Sequence, residues 1–271
     1  NGTFQRYIIE SIPGSIALDV HDFNQDGKED IIVLYAQGDE RIVIYFNDGD
    51  GNFMANPQII RRFPSVYGSM YMKLYDFNQD GFMDILYLNG DNFDFSQILK
   101  PYHGIRIFEN EGQNRFERKY FYPIYGAAKA QAHNFDLDGD LDLIVASNFA
   151  DLQNNPERGI MYFECTGPYQ YDPYAIEASK ENQWNTMDVG DIDQDGDDDV
   201  IIGAMYLQNV LKIQKVDTRD NLEQKKALSF YWKTSYIIEG DPFFDQSWVK
   251  AKARILAPIL RACCRISSGS L

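Results

Sequence analysis

The sequence is poor in cysteine, histidine and basic residues, and it has no long apolar run. Only Cys165, Cys263 and Cys264 occur. Two of them are adjacent, and neighbours in sequence rarely meet the geometry of a disulfide, so no disulfide framework is legible. No apolar stretch approaches 18 residues, which excludes a helical membrane span. Gly-x-Ser-x-Gly, His-Glu-x-x-His and glycine-rich phosphate loops are all missing, so the common signatures of serine hydrolases, zinc peptidases and nucleotide-binding loops are not available. The three histidines, His21, His103 and His133, form no close pair and read as polar packing. His21 and His133 each stand directly before an acidic segment, where they are candidate supports for its ligands.

Against 41 acids there are only 25 bases, and the formal charge is −16. Neutralising phosphates requires Lys and Arg, so a nucleic-acid partner is excluded. The acid is concentrated. Residues 22–30, 76–84, 134–142 and 191–199 carry −3, −3, −4 and −6, and the rest of the chain is neutral in sum. Acid added for solubility would be spread over the surface. Within the rest, residues 209–271 are basic, with 11 bases and 6 acids.

The acidic segments start at Asp22, Asp76, Asn134 and Asp191, at intervals of 54, 58 and 57 residues. Such a period marks an array of similar supersecondary units. Before each segment runs a short alternating stretch, at 16–20, 70–74, 128–132 and 186–189. After each comes a β-branched apolar run, at 31–35, 85–88, 143–146 and 200–202, which predicts a buried strand. A third strand is predicted at 41–46, 104–108 and 159–163, followed by an Asn, Asp and Gly turn and an aromatic residue. A fourth strand then leads into the next unit. Four antiparallel strands in about 50 residues is the size of a propeller blade. The expected fold is therefore all-β, a propeller of four-stranded antiparallel blades, with four to five blades over residues 1–208. Phe4 aligns with Phe53 and Phe116 at the end of that turn, so residues 5–10 are expected to be the last strand of an earlier blade. On that reading the chain starts in mid-blade, as a fragment or as a ring whose closing blade is shared between its ends. Residues 209–271 carry no fifth acidic segment; 225–238 are read as a closing strand and the remainder as a poorly ordered tail, the alternatives being a partner-binding or membrane-surface amphipathic helix at 248–266, which Pro258 would break, and a different small docking element.

The acidic segments align position by position. Oxygen-bearing side chains fall at positions 1, 3, 5 and 9: Asp22, Asn24, Asp26 and Asp30; Asp76, Asn78, Asp80 and Asp84; Asn134, Asp136, Asp138 and Asp142; Asp191, Asp193, Asp195 and Asp199. Glycine always holds position 6. Three or four carboxylates on one short turn repel unless a cation offsets them. Hard oxygen donors at alternate positions select Ca²⁺, and the backbone carbonyl of position 7 (Lys28, Phe82, Asp140, Asp197) completes the candidate set. Up to four Ca²⁺ are expected. An EF-hand is excluded, because position 12 is Val33, Tyr87, Val145 or Ile202 in place of a bidentate Glu, and a strand follows in place of a helix.

The pattern D-x-[DN]-x-D-G-x-x-D before an apolar strand resembles the FG-GAP and VCBS-type repeats of calcium-binding β-propellers, the family that includes the integrin α-subunit head. The resemblance covers about residues 1–207. It implies a Ca²⁺ loop between the first two strands of each blade, a complete ring that often has seven blades, and an extracellular, cell-surface or periplasmic setting. The full Phe-Gly and Gly-Ala-Pro signature is absent and Ile202-Gly203-Ala204 only echoes it, which favours the bacterial VCBS-like branch. The function expected is non-enzymatic: a structural-Ca²⁺ propeller that binds a protein or glycan ligand. The alternatives are an extracellular polysaccharide lyase or hydrolase and a scaffold module of a larger protein. Tyr102, Tyr122, Tyr125, Tyr169 and Tyr174 lie in or beside the expected connections, either to stack on sugars or to pack between blades, with packing favoured.

Overall fold

A computed structural model describes residues 6–49, 53, 57–92, 98–176, 179–180, 183–192, 196 and 198–205. Residues 209–271, Phe4, and the position-3, 5 and 7 residues Asp193, Asp195 and Asp197 lie outside these, so the expectations placed on them stand as made.

The described residues are all-β, with no α-helix among them; Pro156–Gly159 form a 3₁₀ turn. The first sheet contains β1 (Ser15–His21), β2 (Asp30–Tyr35), β3 (Arg41–Tyr45) and β4 (Gln58–Arg62). The second contains β5 (Ser69–Tyr75), β6 (Asp84–Asn89), β7 (Gly104–Asn110) and β8 (Phe116–Pro123). The third contains β9 (Ala127–His133), β10 (Asp142–Ser147), β11 (Ile160–Gly167) and β12 (Gln170–Ala175), and β13 (Gln183–Gly190) pairs with β14 (Asp199–Met205) in the fourth. Within each sheet the strands neighbour one another in chain order, which is the antiparallel meander of a propeller blade. Each acidic segment joins the first strand of a sheet to the second, as its place between the two apolar runs predicted.

Register follows from which side chains must be buried. His21 pairs with Asp30, Tyr75 with Asp84 and Gly190 with Asp199, so these three loops close between the residue before position 1 and position 9. At the far end of the same strand pair, the register slips between Ser15 and Ala17, Ser69 and Tyr71, and Trp184 and Thr186. These irregularities fall at one repeat position in the first strands of the first, second and fourth sheets, where a bulge bends the strand.

The chain divides into two compact units, residues 1–128 with 166–171 and residues 129–165 with 172–271. In the first unit, Ile32, Leu34, Ile42 and Ile44 of the first sheet pack on Met72, Leu74, Ile85, Tyr87 and Phe108 of the second. Successive side chains on a strand face opposite ways, so each second strand is buried on both faces, and this is why those runs are continuously apolar. In the second unit, Ile144, Ala146, Ile160 and Tyr162 form the core with Met187, Trp184, Val200 and Ile202.

Residues 6–10 depart from expectation: they are not a strand. They run as a strap over the outer face of the first sheet, where Ile9 and Ile12 pack near Val33, Tyr35, Val43 and Tyr45. Glu10 accepts hydrogen bonds from Arg41 (2.8 Å) and from the hydroxyl of Tyr45. Side-chain contacts, not a backbone ladder, hold this segment.

Tight approach also constrains the ends of the strands. A Cβ on Gly90 would lie 2.2 Å from the carbonyl oxygen of Ala127 and 2.4 Å from its amide nitrogen. Backbone atoms cannot swing aside as a side chain does, so Gly90→Ala is expected to lower stability by about 1–3 kcal/mol. Urea unfolding followed by circular dichroism checks this; an unchanged midpoint would show that the two connections are free to separate.

Candidate functional site

The loops are wound by their own side chains. In the first loop, Asp22 accepts the amides of Asp26 (3.1 Å) and Gly27 (2.7 Å) through its two oxygens. Asn24 accepts Asp26 N (3.0 Å), and Asp26 accepts Lys28 N (3.0 Å). The second loop repeats this: Asp76 accepts Asp80 N (3.1 Å) and Gly81 N (2.9 Å), Asn78 accepts Asp80 N (3.2 Å) and Asp80 accepts Phe82 N (2.8 Å). The third retains the inner part, with Asp136 accepting Asp138 N (3.2 Å) and Asp138 accepting Asp140 N (3.1 Å). Of the fourth, Asp191 accepts Gly196 N at 3.1 Å. Asp and Asn favour such turns because a short side-chain oxygen reaches the amide two residues on.

Glycine at position 6 meets a backbone need. Gly27, Gly81, Gly139 and Gly196 have φ of 86°, 88°, 105° and 94°, and a Cβ there would meet nothing within 4 Å. The restriction is therefore conformational rather than one of space. Position 4 is also left-handed, at Gln25, Gln79 and Leu137 (φ 59°, 58° and 66°), which the sequence did not reveal because those residue types carry no such preference.

Position 9 has a role that its spacing did not disclose. Asp30, Asp84 and Asp142 are fully buried. One oxygen of each accepts the amide of position 2: Phe23 (3.0 Å), Phe77 (3.2 Å) and Phe135 (3.3 Å), and Asp199 does the same for Ile192 (3.0 Å). The other oxygen accepts an amide near the end of the third strand: Asn47, Asn110 and Cys165, each at 2.8 Å. Each of these three carboxylates thus ties its loop to two other parts of the blade. Asp84 has a further donor, the hydroxyl of Tyr169 at 2.9 Å.

Burial raises the Asp84 carboxyl to about 6, against the amides of Asn110 and Phe77 and the Tyr169 hydroxyl, which favour the ionised form. It raises Asp142 to about 7, with the charges of Asp136 and Asp140 adding to it. Asp136 and Asp140 are also raised, first by burial and then by neighbouring carboxylates, Asp138 foremost. The native state therefore holds protons on these groups at a pH where the unfolded chain has lost them, so their ionisation opposes folding as pH rises from about 4 towards 7. His103 acts in the opposite sense: burial lowers it to about 4, so it costs stability as pH falls below about 6.5. One histidine offsets one of the two strongly shifted carboxyls. The chelated protein is expected to melt at a higher temperature at pH 5 than at pH 7.5, and a lower melting temperature at pH 5 would contradict this.

Among the described residues, no three His, Cys, Asp or Glu side chains are gathered as a metal-ligand group. The donor chemistry fits a hard cation nonetheless. Every loop offers only oxygen, the whole excess charge lies there, and each carboxylate oxygen that accepts one amide keeps a second lone pair. In the third loop Asn134 Oδ1 and Asp140 Oδ1 are buried with no hydrogen-bond donor. Buried oxygens without a partner are costly, and a cation would satisfy them. Asp140 thus adds a side-chain oxygen where only its carbonyl was anticipated. In the first loop Lys28 places its ammonium 3.7 Å from Asp26 and donates to Asp48 O at 3.2 Å, a partial internal counter-charge.

Four of the remaining candidates have partners in the described residues. His133 Nδ1 lies 2.9 Å from Asp198 Oδ2, His21 meets Phe23 edge-on at 5.3 Å, and Tyr102 and Tyr174 stack on Tyr67 and Tyr162.

Residues 22–87, which span the first loop and the second, match the FG-GAP-like repeat family. No curated protein matches the chain. Among solved structures, the chain is similar to the Bombyx mori GH32 beta-fructofuranosidase BmSUC1, with 13% identity and a TM-score of 0.36 over 68% of this chain. The chain spans 42% of the length of that structure.

Proposed function

We propose that this chain is a non-catalytic propeller module braced by Ca²⁺, of the VCBS-like kind, that works outside the cytoplasm and presents its connections to a protein or glycan. The observation that carries the reading is the recurrence of one oxygen-only loop at the same place in successive blades, with two buried, unpartnered oxygens in the third. Asp22, Asn24, Asp26 and Asp30 would hold the first ion with the carbonyl of Lys28. The matching sets at 76–84, 134–142 and 191–199 would hold the others. The ion supplies positive charge that offsets repulsion among the carboxylates.

The chain's own part is to winch each turn inward through Asx-type hydrogen bonds and to anchor it through position 9. No reacting group is needed for this, and the loop carboxylates are occupied in building the loops. Titration calorimetry of chelator-stripped protein tests the reading. Saturable Ca²⁺ binding is expected at micromolar to millimolar levels, with fewer sites in an Asn134→Leu, Asp136→Asn variant. Absence of any binding heat at several temperatures, together with a melting temperature that ignores Ca²⁺, would overturn it.

A further inference from the structure

The first loop carries a cation of its own. Lys28 Nζ lies 3.7 Å from Asp26 Oδ2 and donates to Asp48 O at 3.2 Å. Asp26 is the position-5 candidate ligand, and Asp48 belongs to the turn that follows β3. The lysine is seated there. A Cβ on Gly49 would lie 2.9 Å from Lys28 Nζ, 3.0 Å from Cε and 3.4 Å from Cδ, so the end of the side chain runs across the bare Cα of this glycine. Asn47 holds the seat in place: its Oδ1 accepts Gly49 N at 2.9 Å and its Nδ2 donates to Glu29 O at 3.1 Å.

The second and third loops have no base at position 7, which is Phe82 in one and Asp140 in the other. Each gains a carboxylate where the first loop has none. In the second it is Glu109, which accepts from Asn78 Nδ2 at 3.0 Å and is bridged in turn by Lys119 at 2.9 Å. Phe46 holds that place in the first sheet: it directly precedes the amide that Asp30 accepts, as Glu109 precedes the amide that Asp84 accepts. In the third it is Asp140, whose Oδ1 is buried without a donor.

We propose that Lys28 makes the first loop the weakest cation site of these three, so that the loops fill in order, the first last. This rests on the Ca²⁺ reading above. The ammonium already offsets part of the loop's charge, and it stands within about 6 Å of any dication that Asp26 Oδ2 would hold. Repulsion at that distance amounts to about tenfold in affinity at the dielectric of water, and salt reduces it to roughly three- to tenfold. Lys28 relieves the repulsion only by giving up Asp26 and Asp48 O, so either course weakens binding. Leaving the seat also removes a contact from the turn at 47–49, which ties the state of that connection to the first loop.

Titration calorimetry and thermal melting of the intact 271-residue chain, stripped with chelator, test the proposal. Lys28→Gln should tighten the weakest class of Ca²⁺ sites by roughly three- to tenfold and leave the tighter class in place. In chelator it should melt below wild type, because the carboxylates lose their counter-charge, yet it should gain more on adding Ca²⁺. A purely structural role would lower both melting temperatures together. Lys28→Arg keeps the charge and should keep the weak class. Adding Asp22→Asn to wild type and to Lys28→Gln should erase the difference between them, which places the effect in the first loop. Ca²⁺ binding that Lys28→Gln leaves unchanged overturns the proposal while the Ca²⁺ reading stands. So does tightening that Lys28→Arg shares, or that persists beside Asp22→Asn. No Ca²⁺ binding by any of these proteins overturns the Ca²⁺ reading and the proposal with it.

Discussion

Asp84→Ala is expected to lower the stability of the protein by at least about 3 kcal/mol, in chelator as well as in Ca²⁺. The carboxylate is fully buried and accepts Phe77 N, Asn110 N and the Tyr169 hydroxyl. Hydrogen bonds to a charged acceptor are worth about 1.5–3 kcal/mol each, and truncation strands donors that water does not reach. The cost of burying the charge, visible in a carboxyl raised to about 6, returns part of this. Asp84→Asn keeps one acceptor and should fall between wild type and alanine. Denaturant unfolding of the three proteins, with and without chelator, gives the comparison. A loss seen only in Ca²⁺ would mean that Asp84 acts solely through an ion, and the strap role would be wrong.

Stripping Ca²⁺ is the second large effect expected. An ion that binds only the folded state adds about 1.4 kcal/mol per site at ten times its dissociation constant. Four loops filled to that level would add roughly 6 kcal/mol, which for a chain of this size corresponds to roughly 10–20 °C in melting temperature. Calorimetric scans in excess Ca²⁺ and in excess chelator measure it. The shift should grow with Ca²⁺ concentration and be smaller in the Asn134→Leu, Asp136→Asn variant. Substituting Mg²⁺ should recover less, since Mg²⁺ prefers a rigid octahedral site with retained water. Equal melting temperatures in Ca²⁺ and chelator would remove the case for structural metal.

These two effects separate functions that one motif combines. Positions 1, 3 and 5 wind the loop through their hydrogen bonds, so on the proposed reading substitutions there report on the ion. Position 9 stands at the start of a buried strand and reports on the blade. Its alignment with the others marks it as a candidate ligand but does not disclose its two amide partners, because a spacing records which residues recur and not where each side chain points. Tyr169 shows the same limit: it lies 85 residues from Asp84 in sequence, and only folding brings its hydroxyl to that carboxylate. Residues 6–10 misled in the opposite direction. The place of these residues after Phe4 in the repeat suggests a strand, but Glu10 and Ile9 find side-chain partners on the first sheet instead of a ladder.

By itself the sequence determined the repeat, the four-stranded blade, the place of each acidic loop between first and second strands, and the oxygen-only chemistry of those loops. Those are local properties: strand alternation, turn preference and charge spacing act over a few residues and so remain visible in the linear chain. The tertiary structure alone decided which carboxylate is a buried strap and which oxygens in the third loop are left without donors. Each of these depends on desolvation by residues distant in sequence, and burial is a property of the packed blades that no single segment carries.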